Sequence, residues 1–165
     1  LTKIKSSYLI HTSAKGDVKM LQMKNISWTL LILCFATTVS AKEKAALPIS
    51  KSTQGAKAYI ISPKNGEVVT SPVKVVFGLT QMGIAPAGVQ YPESGHHHLI
   101  IDAPLPPPGK PIPADEKHIH FGKGQTETKI ELKPGKHTLQ LILGDHLHLP
   151  HDPVVASEKI EITVK

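Results

Sequence analysis

From residue 57 to the end of the chain, no stretch sustains the 3.6-residue apolar period of a helix, whereas short runs alternate with a period of two. Val73, Val75, Phe77 and Leu79 alternate with Lys74, Val76 and Gly78. Thr128, Ile130 and Leu132 share one face, as do Leu139, Leu141 and Leu143, and again Ile160, Ile162 and Val164. Ala58–Ser62 and His97–Asp102, with its Leu99-Ile100-Ile101 centre, read as further strands. The 14 prolines and 12 glycines keep every run short. This pattern predicts an all-β domain over residues 57–165, an immunoglobulin-like antiparallel β-sandwich of six to seven strands. Ala103–Pro113 holds six prolines and is excluded from a central strand. The turn Lys133-Pro134-Gly135-Lys136 is expected to close a hairpin between 126–132 and 137–143.

The sequence ahead of that domain has a different character. Met23-Lys24-Asn25 opens a short basic region, Ile26–Val39 is apolar, and Val39-Ser40-Ala41 supplies small residues at the cleavage positions. Residues 23–41 are therefore expected to be a signal peptide cleaved near Ala41, sending the protein to the periplasm or outside the cell. Its apolar core is shorter than the ~20 residues of a comfortable membrane span, so the cleaved chain is not expected to be an integral membrane protein. Residues 1–22 precede a good start methionine and carry no hydrophobic period, which marks them as a mis-started upstream segment. Residues 42–56 are polar and loop-like, a flexible tether.

Removing the leader changes two properties. The single cysteine, Cys34, lies within it, so disulfides and thiolate metal sites are excluded from the mature chain. Leu33 stands where a lipid-anchoring signal would want a small residue. Five of the 19 lysines and Asp17 also precede Lys42, leaving 14 Lys against 12 acidic residues, a net charge of +2. With no arginine, no basic run and few aromatics, nothing points to nucleic acid.

Nine of the ten histidines lie in the last 70 residues. They form the triplet His96-His97-His98, the pair His118-Ile119-His120, a lone His137, and His146-Leu147-His148 with His151. On an extended chain residues i and i+2 face the same side, so each His-x-His offers two imidazoles from one face. The expected hairpin places His118 and His120 beside His146, His148 and His151. In an immunoglobulin-like order the loop before the third strand shares that rim, which adds His96 and His98. The proline-rich connection can span ~45 Å as polyproline II and can return the chain to the same end.

Imidazole and carboxylate without sulfur suit Cu(II) or Zn(II) over Cu(I), and Met82 is the sole methionine of the mature chain. The candidate ligands are His96, His98, His118, His120, His146, His148 and His151, with Asp145 as ligand or as orienting carboxylate. His97 shares parity with Leu99 and Ile101 and is expected in the core. His137 opens its strand beside the Pro-Gly turn and is expected to be structural. Gly95, Gly122 and Gly144 are expected to permit turns at strand ends. Phe121-Gly122-Lys123-Gly124-Gln125 precedes no helix and is not a phosphate cradle.

Gly95-His96-His97-His98-Leu99-Ile100-Ile101-Asp102, the run His118–Glu127, Gly135–Leu141 and Gly144–His151 together resemble the domain of unknown function family 4399 (DUF4399), over about residues 75–165. The resemblance implies an exported bacterial domain of small β-sandwich type, with hallmark histidines at positions 96, 97, 98, 118, 120, 137, 146 and 151. It implies no activity. The residues themselves favour an exported, periplasmic metal-binding protein with a carrier, buffer or resistance role. One alternative is a non-catalytic module of an envelope complex, partnered by envelope proteins and using its histidines structurally. A metal-dependent hydrolase or oxidase ranks lower, since no spacing singles out a general base.

Overall fold

The computed structural model describes residues 47–165. The expected upstream segment 1–22, the expected signal peptide 23–41 and the first residues of the expected tether lie outside the described residues. The described chain forms an all-β sandwich with no helix among those residues. One sheet has three antiparallel strands, β1 (Lys57–Ser62), β3 (Val73–Thr80) and β7 (Glu127–Ile130), in the order β1-β3-β7. The other runs β2 (Val68–Val69), β9 (Ile160–Val164), β8 (Gly135–Gly144), β5 (Ser94–Ile101), β4 (Gly83–Ile84), with β6 (His118–His120) also paired to β5. The long pairings are antiparallel; the two-residue strands β2 and β4 run parallel to their neighbours.

Alternation along the strands builds the core. Val73, Val75 and Phe77 of β3 face Leu99 and Ile101 of β5, Leu139, Leu141 and Leu143 of β8, and Ile162 and Val164 of β9 in one apolar cluster. A fully buried Leu or Ile contributes about 1.5–3 kcal/mol each, so this layer supplies most of the driving force. His97 belongs to it, as its parity predicts. Its ring lies 5.3 Å from that of Phe77 in an edge-on arrangement, and Phe121 packs tilted against Phe77 at 4.8 Å.

The expected hairpin at Pro134-Gly135 does not form. β7 pairs with β3, from Val73↔Ile130 to Val76↔Glu127, and the chain then crosses to the other sheet to begin β8. A Pro-Gly corner reads the same in sequence whether it reverses a strand or changes sheets. Gly135, at φ 137°, lies outside the conformations of a tight two-residue hairpin turn. The histidine runs meet for a different reason: β6 adds to the free edge of β5, with His120 opposite His98 and His118 opposite Ile100.

β5 is buried on both faces along its whole length. Its outer face carries His96, His98 and Ile100, and the proline-rich connection folds across that face. Ile112 packs there with Ile100 and Ile142, with Ala103, Leu105 and Ala156 around them. The Ile112 amide donates to the His148 carbonyl at 2.8 Å, joining this cover to the loop after β8. The sandwich thus has a third, irregular layer, and the histidines lie beneath it. No helix among the described residues is long and apolar enough to cross a membrane.

Candidate metal centre

Four imidazoles meet under that layer. His96 and His98 come from β5, His120 from β6, and His148 from the loop after β8. The Nε2 atoms of His96 and His98 are 3.1 Å apart, and those of His120 and His148 are 3.2 Å apart. Ring centroids lie 4.7 to 4.9 Å apart for every pair except His98 and His148, at 6.0 Å. Ligand nitrogens of His96, His98 and His120 all fall within 4.8 Å of one another, the spacing of a group able to hold a metal ion. With bonds of about 2.0–2.1 Å, tetrahedral geometry sets imidazole nitrogens about 3.3 Å apart. Both close pairs already stand near that separation.

Electrostatics favour the ligating form. Burial, then the neighbouring His148 and His120, push the His96 ring down to about 4, with Asp145 opposing weakly. Burial and the rings of His96, His120 and His148 push His98 down to about 2. Burial and His148 also lower His120. These rings are therefore neutral at pH 7 and expose lone pairs with little proton competition.

The protein alone does not satisfy them. In each close pair one Nε2–H can donate to the other Nε2, and the accepting ring then carries its proton on Nδ1. The Nδ1 atoms of both His96 and His98 are buried without a hydrogen-bond partner. Buried polar atoms are nearly always paired. A cation on the converging Nε2 atoms would leave these Nδ1 groups as they are, and both ring nitrogens of core His97 are equally unpaired. The case for a metal therefore rests on the Nε2 convergence. Packing holds the rings where hydrogen bonds do not.

Two glycines make the room. A Cβ at Gly122 would stand 2.4 Å from Cε1 and 2.6 Å from Nε2 of His120. One at Gly144 would stand 3.0 Å from Nε2 of His98. Neither glycine has a positive φ, nor does Gly95. A Cβ at Gly95 would stand 2.4 Å from the Gly144 carbonyl oxygen and 2.9 Å from Cε1 of His151. Their expected role as turn formers gives way to one of close approach.

The other candidate ligands lie elsewhere. The His118 ring donates through Nδ1 to Asp115 at 2.8 Å. Both ring nitrogens of buried His151 face carbonyl oxygens, of Leu143 at 3.4 Å and Ser94 at 3.2 Å. His146 lines a separate cleft of about 490 Å³ with Lys51, Tyr91 and Glu93. Asp145 is 1 % exposed, and its oxygens accept from Ser50 Oγ and the amides of Leu147 and Leu149. Burial works to raise the Asp145 carboxyl, but those hydrogen bonds outweigh it and hold it below the usual range.

His137 is structural. Its Nδ1 donates to Asp102 at 2.7 Å and its Nε2 to the Lys133 carbonyl at 2.9 Å. The bond to Asp102, against burial and with help from Lys133, raises its affinity for a proton.

Fold and site together define a small β-sandwich domain with a polyhistidine cluster, His96 and His98 buried and His120 and His148 partly so, that could hold a metal ion. The chain belongs to the family described as domain of unknown function (DUF4399), which matches residues 75–165. That span contains all four clustered histidines and both glycines beside them. No curated protein and no solved structure matches the chain.

Proposed function

We propose that this is an exported, periplasmic metal-binding protein that takes Cu(II) or Zn(II) at His96, His98, His120 and His148 and serves as a carrier, buffer or resistance factor. The convergence of four imidazoles, whose Nε2 atoms stand 3.1 Å and 3.2 Å apart in two close pairs, carries this reading. An all-nitrogen site of this kind suits borderline divalent cations better than Mg(II), Ca(II) or Cu(I). Elemental analysis of the protein, purified without a histidine tag from the compartment to which it is exported, is expected to find about one equivalent of copper or zinc. Protein isolated metal-free that also gives no heat on titration with either ion would refute the proposal.

A second reading, a non-catalytic envelope module with structural histidines, draws on the roles of His97, His137 and His151, which serve the fold. It predicts that His120→Asn destabilises metal-free protein. The metal reading predicts instead the loss of metal-induced stabilisation.

A further inference from the structure

His148 differs from the other three clustered histidines in how it is held. His96, His98 and His120 stand on strands, whereas His148 sits in a loop with φ 63°, the left-handed region. A histidine persists there when its surroundings force the conformation. Within the loop, the Asp145 carbonyl accepts from the His148 amide and the Asp145 amide donates to the Leu149 carbonyl, both at 2.9 Å. The Oδ1 of Asp145 accepts from the amides of Leu147 at 2.8 Å and Leu149 at 2.9 Å, on either side of His148. The carboxylate thus shapes the turn that presents the ring.

The carboxylate is itself anchored from 95 residues away. Ser50 Oγ donates to its Oδ2 at 2.7 Å. Ser50 lies in a short run fastened to the chain after His151. The Asp152 amide donates to the Ser50 carbonyl at 3.0 Å, and the Ser52 amide donates to the Asp152 carbonyl at 3.2 Å. Lys51 Nζ meets the Asp152 carboxylate at 2.6 Å, and Ser52 Oγ donates to the Pro153 carbonyl at 2.8 Å.

We infer that Ser50–Ser52 act as a strap that positions His148 through Asp145, so that displacing the strap releases one of the four imidazoles. Ser50 and Asp145 are positioning residues; neither reaches the cluster. The inference rests on the metal reading above. Replacing a group that orients a metal ligand typically lowers affinity 10- to 100-fold. Ser50→Ala removes the hydroxyl donor to Asp145. Ser52→Ala removes a hydrogen bond of the same strap that does not reach Asp145, and Ser50→Thr keeps a hydroxyl.

The test is Cu(II) titration of the untagged mature chain, followed by electron paramagnetic resonance to count coupled nitrogens. Ser50→Ala is expected to weaken Cu(II) by about 10- to 100-fold and to lose one nitrogen from the spectrum. Ser52→Ala and Ser50→Thr are expected to match the parent, and the metal-free melting temperatures to remain close. A parent chain that binds no Cu(II) would overturn the metal reading itself. A parent with four nitrogens and a Ser50→Ala variant indistinguishable from it would overturn the strap alone.

Discussion

The cluster depends on space as well as on ligands, and Gly122→Ala tests this without removing an imidazole. The new methyl group would stand 2.4 Å from Cε1 and 2.6 Å from Nε2 of His120, and 3.3 Å from the Ala87 Cβ. Nonbonded carbon atoms settle at about 3.5–4.0 Å, so the ring must retreat by about 1 Å. A metal–nitrogen bond of about 2.0–2.1 Å cannot follow that far, and one ligand of four is lost. The backbone at residue 122 is not left-handed, so the main chain accepts alanine and the displaced His120 ring takes up the clash. Competition titration against a zinc chelator should show affinity reduced by about 10- to 100-fold, with an unchanged far-ultraviolet spectrum. The double variant with His120→Ala should bind no more weakly than His120→Ala alone, since both changes remove the same bond. Parental affinity in Gly122→Ala, or fully additive losses in the double variant, would refute the crowding argument.

Acid should destabilise the fold well above the carboxylate range. Native His96 and His97 stay neutral down to about 4 and His98 to about 2, whereas the unfolded chain protonates them near about 6.5. The unfolded state therefore binds more protons below that pH, and stability falls as pH drops. At pH 5 the loss is about 2 kcal/mol per ring. For three rings it approaches a typical total stability of about 5–15 kcal/mol. Denaturant titrations of metal-free protein giving equal stability at pH 7.5 and pH 5 would contradict this. The Asp102–His137 clamp should behave oppositely at its basic end. His137 is raised, so its share is present below about 6.5 and is lost as pH rises through its native value. Burial opposes, but the bonds from Thr138 and His137 outweigh it and lower Asp102, whose share is lost as pH falls. The Asp102 side chain is 40 % exposed, so His137→Gln should cost only about 1 kcal/mol and leave metal affinity unchanged. His151→Ala should lower the metal-free melting temperature, the loss of a buried side chain costing about 2–3 kcal/mol of stability, while retaining binding. His148→Ala should do the reverse, and equal behaviour of the two in a metal-supplemented melt would contradict their separate placement.

Parity carried much of what could be read in advance. His97 falls with Leu99 and Ile101 on the inner face of β5, which leaves His96 and His98 together on the outer face. The all-β sandwich also followed from period-two runs. The pairing of β7 did not, because a corner between sheets and a hairpin turn use the same residues. The choice among histidines lay beyond local pattern too. His118 and His120 share a face, but His120 stands opposite His98 whereas His118 stands opposite Ile100, under an apolar cover. Asp115, three residues before His118, takes its ring instead. His148 enters the cluster through a left-handed backbone that no side-chain pattern announces. Gly122 and Gly144 were visible as glycines, but only the folded chain shows which rings occupy the space beside them.

Anomalous diffraction from crystals of the untagged domain, residues 47–165, soaked with one equivalent of Zn(II), tests the four-imidazole site most directly. The expected result is a single strong peak about 2.0–2.2 Å from one nitrogen each of His96, His98, His120 and His148. A peak at His146 or at the chain surface, or an empty centre among those four rings, would contradict it.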